Sequence, residues 1–227
     1  VYRHLYTTSE GSVPQAFWNE NSTVQIQGYT GTITATAGGN WNQSFGNVVF
    51  SCNLGNTSVN FAGFLTNVQK DLTISGTGSG TGSFRFASNQ NPTINIGRDL
   101  IISGSSRVLF GTGSSTTVNI GRNFEYNSTH SSGSNLTTGG TTTINIAGNF
   151  SQNGSFGNLI LSSSGTGSGI LKITGNFSID SGTLTFSTTG TSGGTIDIGG
   201  NFTTGSSTSV TANSSSSTSN LNFIGAA

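Results

Sequence analysis

The sequence predicts an all-β fold: a parallel β-helix (β-solenoid) of about seven coils, with a period in the mid-twenties of residues. Gly, Ser, Thr and Asn supply 132 of the 227 residues, while the helix formers Glu, Lys and Met are scarce or absent. This composition excludes a helical fold. The 15 Phe residues and a steady supply of Ile, Leu and Val oppose disorder. One short phrase also returns along the chain, which is typical of a repeat architecture.

The repeated phrase alternates two apolar residues around a polar one and ends in Gly-Asn-Phe or a close variant. Its copies occupy 94–100, 118–124, 144–150, 171–177 and 196–202, with a weaker copy at 68–72 and a shortened one at 221–225. The Asp or Asn before the final Leu or Phe recurs at intervals of 28, 24, 26, 27 and 25 residues. The alternation predicts a strand. Gly-Asn predicts a bend, because both residues accept left-handed backbone angles.

Stacked coils would bury the apolar positions of this phrase in columns of equivalent residues. One inward column is predicted at Phe124, Phe150, Phe177 and Phe202, and another at Ile96, Ile120, Ile146, Ile173 and Ile198. An outward column runs through positions 95, 119, 145, 172, 197 and 222. The bend holds a second Asn column at 123, 149, 176 and 201. Buried or half-buried Asn ladders can pair amide to amide along the stack.

Residues 1–45 contain both Trp residues and no copy of the phrase. We therefore predict an N-terminal cap or junction over 1–45 and β-solenoid repeats over 46–227. The phrase that begins at Leu221 stops within a few residues, so we expect the repeats to continue in a longer protein.

The charge pattern excludes two classes of partner. Seven cationic and seven anionic side chains leave no formal net charge, so neither a nucleic-acid-binding face nor a polybasic membrane patch is expected. No apolar run is long enough to span a bilayer, and membrane insertion is not expected either.

The chemistry-bearing residues are few and scattered. His130 lies in a Ser-rich stretch and is predicted to be a surface turn residue, because a catalytic triad would need an acid beside it. Cys52 is the single cysteine and offers neither an internal disulfide nor a zinc site; we expect it to be buried. With four Asp residues in the chain, calcium-binding repeats are not expected. We predict no enzyme activity, catalytic residue, metal or cofactor, and the pattern identifies no ligand-binding residue.

One charged patch is predicted from the register. Asp71 and Asp99 occupy the same position in adjacent coils, and Lys70, Arg98 and Arg122 lie beside them. The patch could bind an acidic sugar or form a solvated ion-pair ladder, and the ladder is the favoured interpretation.

The stretch Gly-Gly-Asn-Trp-Asn-Gln-Ser-Phe-Gly-Asn-Val-Val-Phe-Ser-Cys at 38–52, followed by repeats of the Ile-Gly-Gly-Asn-Phe type, resembles a known family. It is similar to the repeat regions of very large cell-surface proteins of the Bacteroidota, exported by the type IX secretion system, which include gliding-motility adhesins. The resemblance covers roughly 38–225. It implies a secreted cell-surface filament that attaches to surfaces or polysaccharide and meets the outer-membrane secretion and anchoring machinery. An autotransporter-like passenger and a phage fibre remain open alternatives.

Three functions are compatible with the sequence. The first is a structural and adhesive segment of a long filament, which acts by surface or glycan attachment or as a stalk. Its partners would be other segments of the same chain and surface polysaccharide. The second is a carbohydrate-binding or carbohydrate-active β-helix protein. The third is an ice-binding solenoid, for which 141–143 and 183–185 would be fragments of a Thr-x-Thr row. Beyond residue 126 only Lys172, Asp180 and Asp197 are charged, which favours the first function.

Overall fold

The computed structural model describes residues 1–113, 115–155, 157–189, 191–212 and 218–225. The chain is all-β, with 51% of residues in strands, and forms a parallel β-solenoid of about nine turns with a period of ~25 residues. A single 3₁₀ turn, Ala37–Gly39, is the helical element of the described part. No helix within these ranges is long and apolar enough to cross a membrane.

From Thr23 onward the coils contribute strands to three faces, and every strand pairs in parallel with its equivalent one coil away. The first face contains β1 (Tyr2–His4), β2 (Thr23–Ile26), β5 (Asn47–Phe50), β8 (Leu72–Ser75), β11 (Leu100–Gly104), β14 (Phe124–Ser128), β17 (Phe150–Gln152) and the first parts of β20 (Phe177–Ser187) and β22 (Phe202–Thr211). The second face contains β3 (Ile33–Thr34), β6 (Ser58–Asn60), β9 (Ser83–Ser88), β12 (Val108–Thr112), β15 (Ser134–Thr137), β18 (Asn158–Ser162) and the later parts of β20 and β22. The third face contains β4 (Ser44–Phe45), β7 (Asn67–Val68), β10 (Thr93–Ile96), β13 (Thr116–Ile120), β16 (Thr141–Ile146), β19 (Ser168–Ile173), β21 (Gly193–Ile198) and β23 (Ser219–Phe223).

The two predicted inward columns are confirmed. Phe124, Phe150, Phe177 and Phe202 pair in register, with ring centroids 5.2, 4.8 and 5.3 Å apart along the column. The first three are fully buried, and Phe202 is half-buried against the core. The Ile column is in register and buried over its whole predicted length. Each coil therefore buries its apolar side chains against copies of themselves.

The coil count is higher than predicted. The structure has about nine turns instead of about seven, because residues 1–45 already contribute β1 to β4 to the sheets. Tyr2 pairs with Val24, and Val24 pairs with Val48, so parallel pairing begins well before residue 46. The role of 1–45 as a cap or junction stays a prediction.

The glycines of the repeated phrase serve a purpose other than the predicted one. Neither the bend glycines nor the Asn residues that follow them adopt positive φ. A Cβ atom at Gly121 would instead lie 2.2 Å from the carbonyl oxygen of Gly97, one coil earlier. Glycine is present because the backbones of successive coils approach too closely for a side chain.

Candidate functional site

The predicted charged patch forms at the corner between the third and first faces. Arg98 donates from Nε to Oδ1 of Asp71 at 2.8 Å, and its terminal nitrogen contacts the second carboxylate oxygen. Arg122 binds Asp99 one coil later in the same way, again at 2.8 Å from Nε to Oδ1. Lys70 turns away from this ladder, with its Nζ 2.7 Å from Oδ1 of Asn21. The register thus brings together four of the five predicted residues.

The ladder is only partly solvated, which corrects the sequence-based expectation. Asp99 is 3% exposed, because the next coil covers it, whereas Arg98 and Arg122 lie at the surface. Burial alone would raise the pKa of Asp99, but hydrogen bonds from the Arg122 guanidinium and the Asn123 backbone outweigh it, and the pKa is lowered. A general acid for glycoside hydrolysis needs a raised carboxyl pKa. Asp99 is therefore held as a paired carboxylate and is unsuited to that role.

The bend column is a ladder of side-chain oxygens and backbone N–H groups. The backbone N–H of each member donates to the side-chain oxygen of its equivalent one coil earlier: Asn149 to Asn123 at 3.0 Å, Asn176 to Asn149 at 2.8 Å and Asn201 to Asn176 at 2.9 Å. Asp99 donates to Asp71 in the same geometry at 3.2 Å. The Asn side chains of this column therefore bind the backbone of the next coil and do not pair amide to amide among the described rungs.

Amide-to-amide pairing occurs instead on the outward column of the third face. Asn119 donates from Nδ2 to Oδ1 of Asn95 at 2.9 Å, and Asn145 donates to Asn119 at 2.8 Å. Asn67 donates to the Ser44 hydroxyl at 2.9 Å, which extends the column toward the first coils. Beside this column runs a row of Thr93, Thr117 and Thr143, in register. Sequence analysis missed this Thr row, although Thr-x-Asn recurs in three successive copies of the phrase.

Two open grooves lie along this face. The third-face groove, of about 740 Å³, has the Asn column on one side and the small corner residues Gly97, Gly121 and Ala147 on the other. The N-terminal groove, of about 520 Å³, is lined by Phe17, Trp18 and their neighbours. Sequence analysis did not identify either groove; the available signal was a pair of adjacent aromatic residues outside the repeated phrase.

The two histidines and the cysteine are buried. His130 is 2% exposed, so the prediction of a surface turn residue is wrong. Its Nδ1 lies 3.1 Å from the Ser132 backbone N–H, and its Nε2 lies 2.7 Å from the Gly80 carbonyl oxygen. Because Nδ1 accepts, Nε2 carries the proton and donates. The ring therefore ties together two loops that are 50 residues apart in sequence.

His4 and Cys52 belong to the interior of the first coils. His4 is fully buried, with Nε2 2.8 Å from the Glu10 carbonyl oxygen, and burial lowers its pKa. Cys52 is 1% exposed, as predicted, and burial raises the pKa of its thiol to about 11. A thiol with a raised pKa is a poor nucleophile.

Within the described ranges, no three His, Cys, Asp or Glu side chains cluster closely enough to hold a metal ion. The comparisons with protein-family models, with curated proteins and with solved structures found no significant match.

Proposed function

We propose that the chain is a structural and adhesive segment of a long, secreted cell-surface filament that attaches through its uncharged outer faces. The observation that carries the proposal is the third-face ladder, where the same amide occupies the same position in successive coils. An amide has two N–H donors and an oxygen with two lone pairs, so each ladder member keeps hydrogen-bonding capacity for an external group.

Attachment of this kind depends on the number of contacts. Contacts that are weak singly add up to strong retention when a filament presents many copies of them. The parallel register supplies such copies at the spacing of neighbouring strands, ~4.8 Å. No single tight pocket is required.

The proposed partners are other segments of the same chain, surface polysaccharide, and the outer-membrane secretion and anchoring machinery.

The proposal is tested by retention of one, two and four tandem copies of the 227-residue chain on polysaccharide and on glass. We expect weak retention of one copy and a steep rise with copy number. Tight retention of a single copy would indicate a discrete pocket instead. An inert stalk predicts no retention at any copy number, and that result would overturn the proposal.

Catalysis is not part of the proposed function. We expect Asp71→Asn and Asp99→Asn to leave attachment unchanged, since each Asn can still accept the backbone N–H of the next coil, as in the later coils. Depolymerisation of a polysaccharide that is abolished by either substitution would assign the protein to the carbohydrate-active class.

A second candidate function, ice binding, is favoured by the in-register Thr row beside the Asn column on the third face. Ile170 and Lys172 interrupt the two columns in the next coil, which makes the regular array short. Thermal hysteresis of a concentrated solution of the chain tests this candidate. Hysteresis that disappears in Thr117→Ala would establish it, and its absence would exclude it.

A further inference from the structure

The N-terminal groove holds two aromatic side chains in a defined position. Phe17 is fully exposed, at 102% relative accessibility, whereas the Trp18 ring packs 5.9 Å from Tyr2 and 5.6 Å from Phe45 between centroids. The Gln43 side-chain oxygen accepts from the Trp18 indole N–H at 3.2 Å and from the Ala16 backbone N–H at 2.9 Å. The segment that carries both rings is therefore tied to the solenoid, and an exposed Phe on it has no role in the core.

The two grooves share one lining residue. Gln69 lines both of them, and its Nε2 donates to the Trp18 carbonyl oxygen at 2.9 Å. We call the combined surface the axial track and define it as Phe17, Trp18, Gln69 and the Asn column at 67, 95, 119 and 145. The track crosses the strands and so runs along the solenoid axis. Its Asn column covers three coil steps from Asn67 to Asn145, roughly 14 Å at ~4.8 Å per step.

The chemistry of the axial track is that of a surface for hydroxyl groups. Asn119 uses one N–H and one lone pair within the ladder, so one N–H and one lone pair face outward. Among the described residues that line the two grooves, Lys172 alone is charged. Uncharged donors and acceptors in a row, with an apolar ring at one end, match a polymer that carries hydroxyls on its edges and C–H groups on its faces.

We propose that the axial track binds one extended, uncharged β-1,4-linked glycan chain, with Phe17 and Trp18 as a stacking platform and the Asn column as the hydrogen-bonding wall. The inference rests on the proposed adhesive function and assigns it to one face. An extended chain is required because the Asn rungs repeat in register over four successive coils, whereas a curved α-linked glucan would not follow them.

The test is affinity gel electrophoresis of the 227-residue chain in hydroxyethylcellulose, with dextran and carboxymethylcellulose as the α-linked and acidic comparison polymers. We expect retardation in hydroxyethylcellulose, about tenfold weaker in Phe17→Ala. A further loss is expected in the double variant Asn119→Ala/Asn145→Ala. Leu5→Ala and Asn153→Ala are the matched controls, because both residues are exposed but lie outside the track, and they should bind like the parent chain.

Each outcome decides between the inference and the proposed function. Retardation that is unchanged in all the track variants would overturn the inference while leaving the adhesive function in place. The inference would also be overturned, and the adhesive function kept, if hydroxyethylcellulose does not retard the chain but tandem copies are retained on glass. Equal retardation in dextran, or stronger, salt-sensitive retardation in carboxymethylcellulose, would replace the inference with an unselective or a charged site. Absence of retention on every surface and at every copy number would contradict the adhesive function itself.

Discussion

The first coils and the repeated coils bury their interiors in different ways. In the repeats, an inward side chain stacks on its own copy, as Phe150 does on Phe177 with centroids 4.8 Å apart. In the first coil, His4 occupies the position that Ile26 and Phe50 take in the next two. His4 is fully buried, and its Nε2 lies 2.8 Å from the carbonyl oxygen of Glu10.

The His4 cluster consists of contacts that occur once. The Tyr29 hydroxyl donates to the same Glu10 carbonyl at 2.7 Å, and the rings of Tyr6 and Trp41 lie 4.9 and 5.1 Å from that of His4. A column of identical residues offers the same surface to each new coil, whereas His4 and Tyr29 share the Glu10 carbonyl in one place only. The comparison shows that a buried position of this fold can be filled either by a column of like residues or by a cluster of contacts that is not repeated.

The largest expected effect comes from breaking a column. Phe177→Ala should lower the free energy of unfolding by ~3–5 kcal/mol, the range for a fully buried Phe. Urea unfolding followed by far-ultraviolet circular dichroism measures this change. Phe17→Ala is the matched control and should stay within about 0.5 kcal/mol of the parent chain, because that ring is exposed. Equal effects of the two substitutions would contradict the column.

The next effect concerns the charged corner. Asp99→Ala removes the acceptor of the Asn123 backbone N–H and the partner of Arg122, and should cost ~1–3 kcal/mol. Asp99→Asn keeps an acceptor in the form that the later coils use, so it should cost less than the Ala variant. Since the folded pKa of Asp99 is lowered, its contribution is present above the ordinary value of about 3.9 and is lost as pH falls through the folded pKa. Equal unfolding free energies for the two variants at neutral pH would contradict the ladder.

Removal of one side-chain acceptor from the bend column should lower the free energy of unfolding by less. Asn176→Ala leaves the Asn201 backbone N–H without its side-chain acceptor and should cost ~0.5–1.5 kcal/mol in the same urea experiment. Asn153→Ala, on an exposed side chain outside the bend column, is the control and should be nearly neutral. An unchanged free energy of unfolding in Asn176→Ala would show that water replaces the lost side-chain acceptor without cost.

The smallest and most local effect is the response of the first coils to acid. The pKa of His4 is lowered, chiefly by burial, so the unfolded chain takes up a proton first as pH falls below its ordinary value of about 6.5. Stability of these coils is then lost progressively down to the folded pKa. The ionisable groups around the ring are Tyr2, Tyr6, Tyr29 and Glu10, and the Glu10 carboxylate is turned toward Thr36.

Tryptophan fluorescence isolates this response, because Trp18 and Trp41 are the two Trp residues of the chain and both lie in the first coils. In the parent chain, the urea midpoint of the fluorescence transition should decrease as pH is lowered from ~7 to ~5. It should decrease less in His4→Phe, which inserts the residue found two coils later. Midpoints with identical pH dependence in both proteins would show that His4 is not the group that titrates.

The sequence was informative wherever structure repeats. The spacing of the phrase placed the Phe and Ile columns correctly, because a parallel register puts equivalent residues in contact. It could not identify the His4 cluster or the partner of His130, since those contacts occur once and join loops far apart in sequence. The burial of Asp99 was missed for a related reason: a column position fixes the neighbour, whereas exposure depends on how the next coil covers it. The axial track depends on Phe17, which lies outside every copy of the phrase, and on Gln69, which lies in the weaker copy at 68–72.

The central claim, attachment through uncharged outer faces, is tested most directly by the salt dependence of retention. Four tandem copies of the chain would be held on a hydroxyethylcellulose surface while ionic strength rises from roughly 0.01 M to about 1 M, which shortens the Debye length from ~30 Å to ~3 Å. The account predicts nearly constant retention over this range, because amides and hydroxyls carry the contacts. Retention that falls tenfold or more across the series would contradict it and would assign attachment to the charged corner of Asp71, Arg98, Asp99 and Arg122.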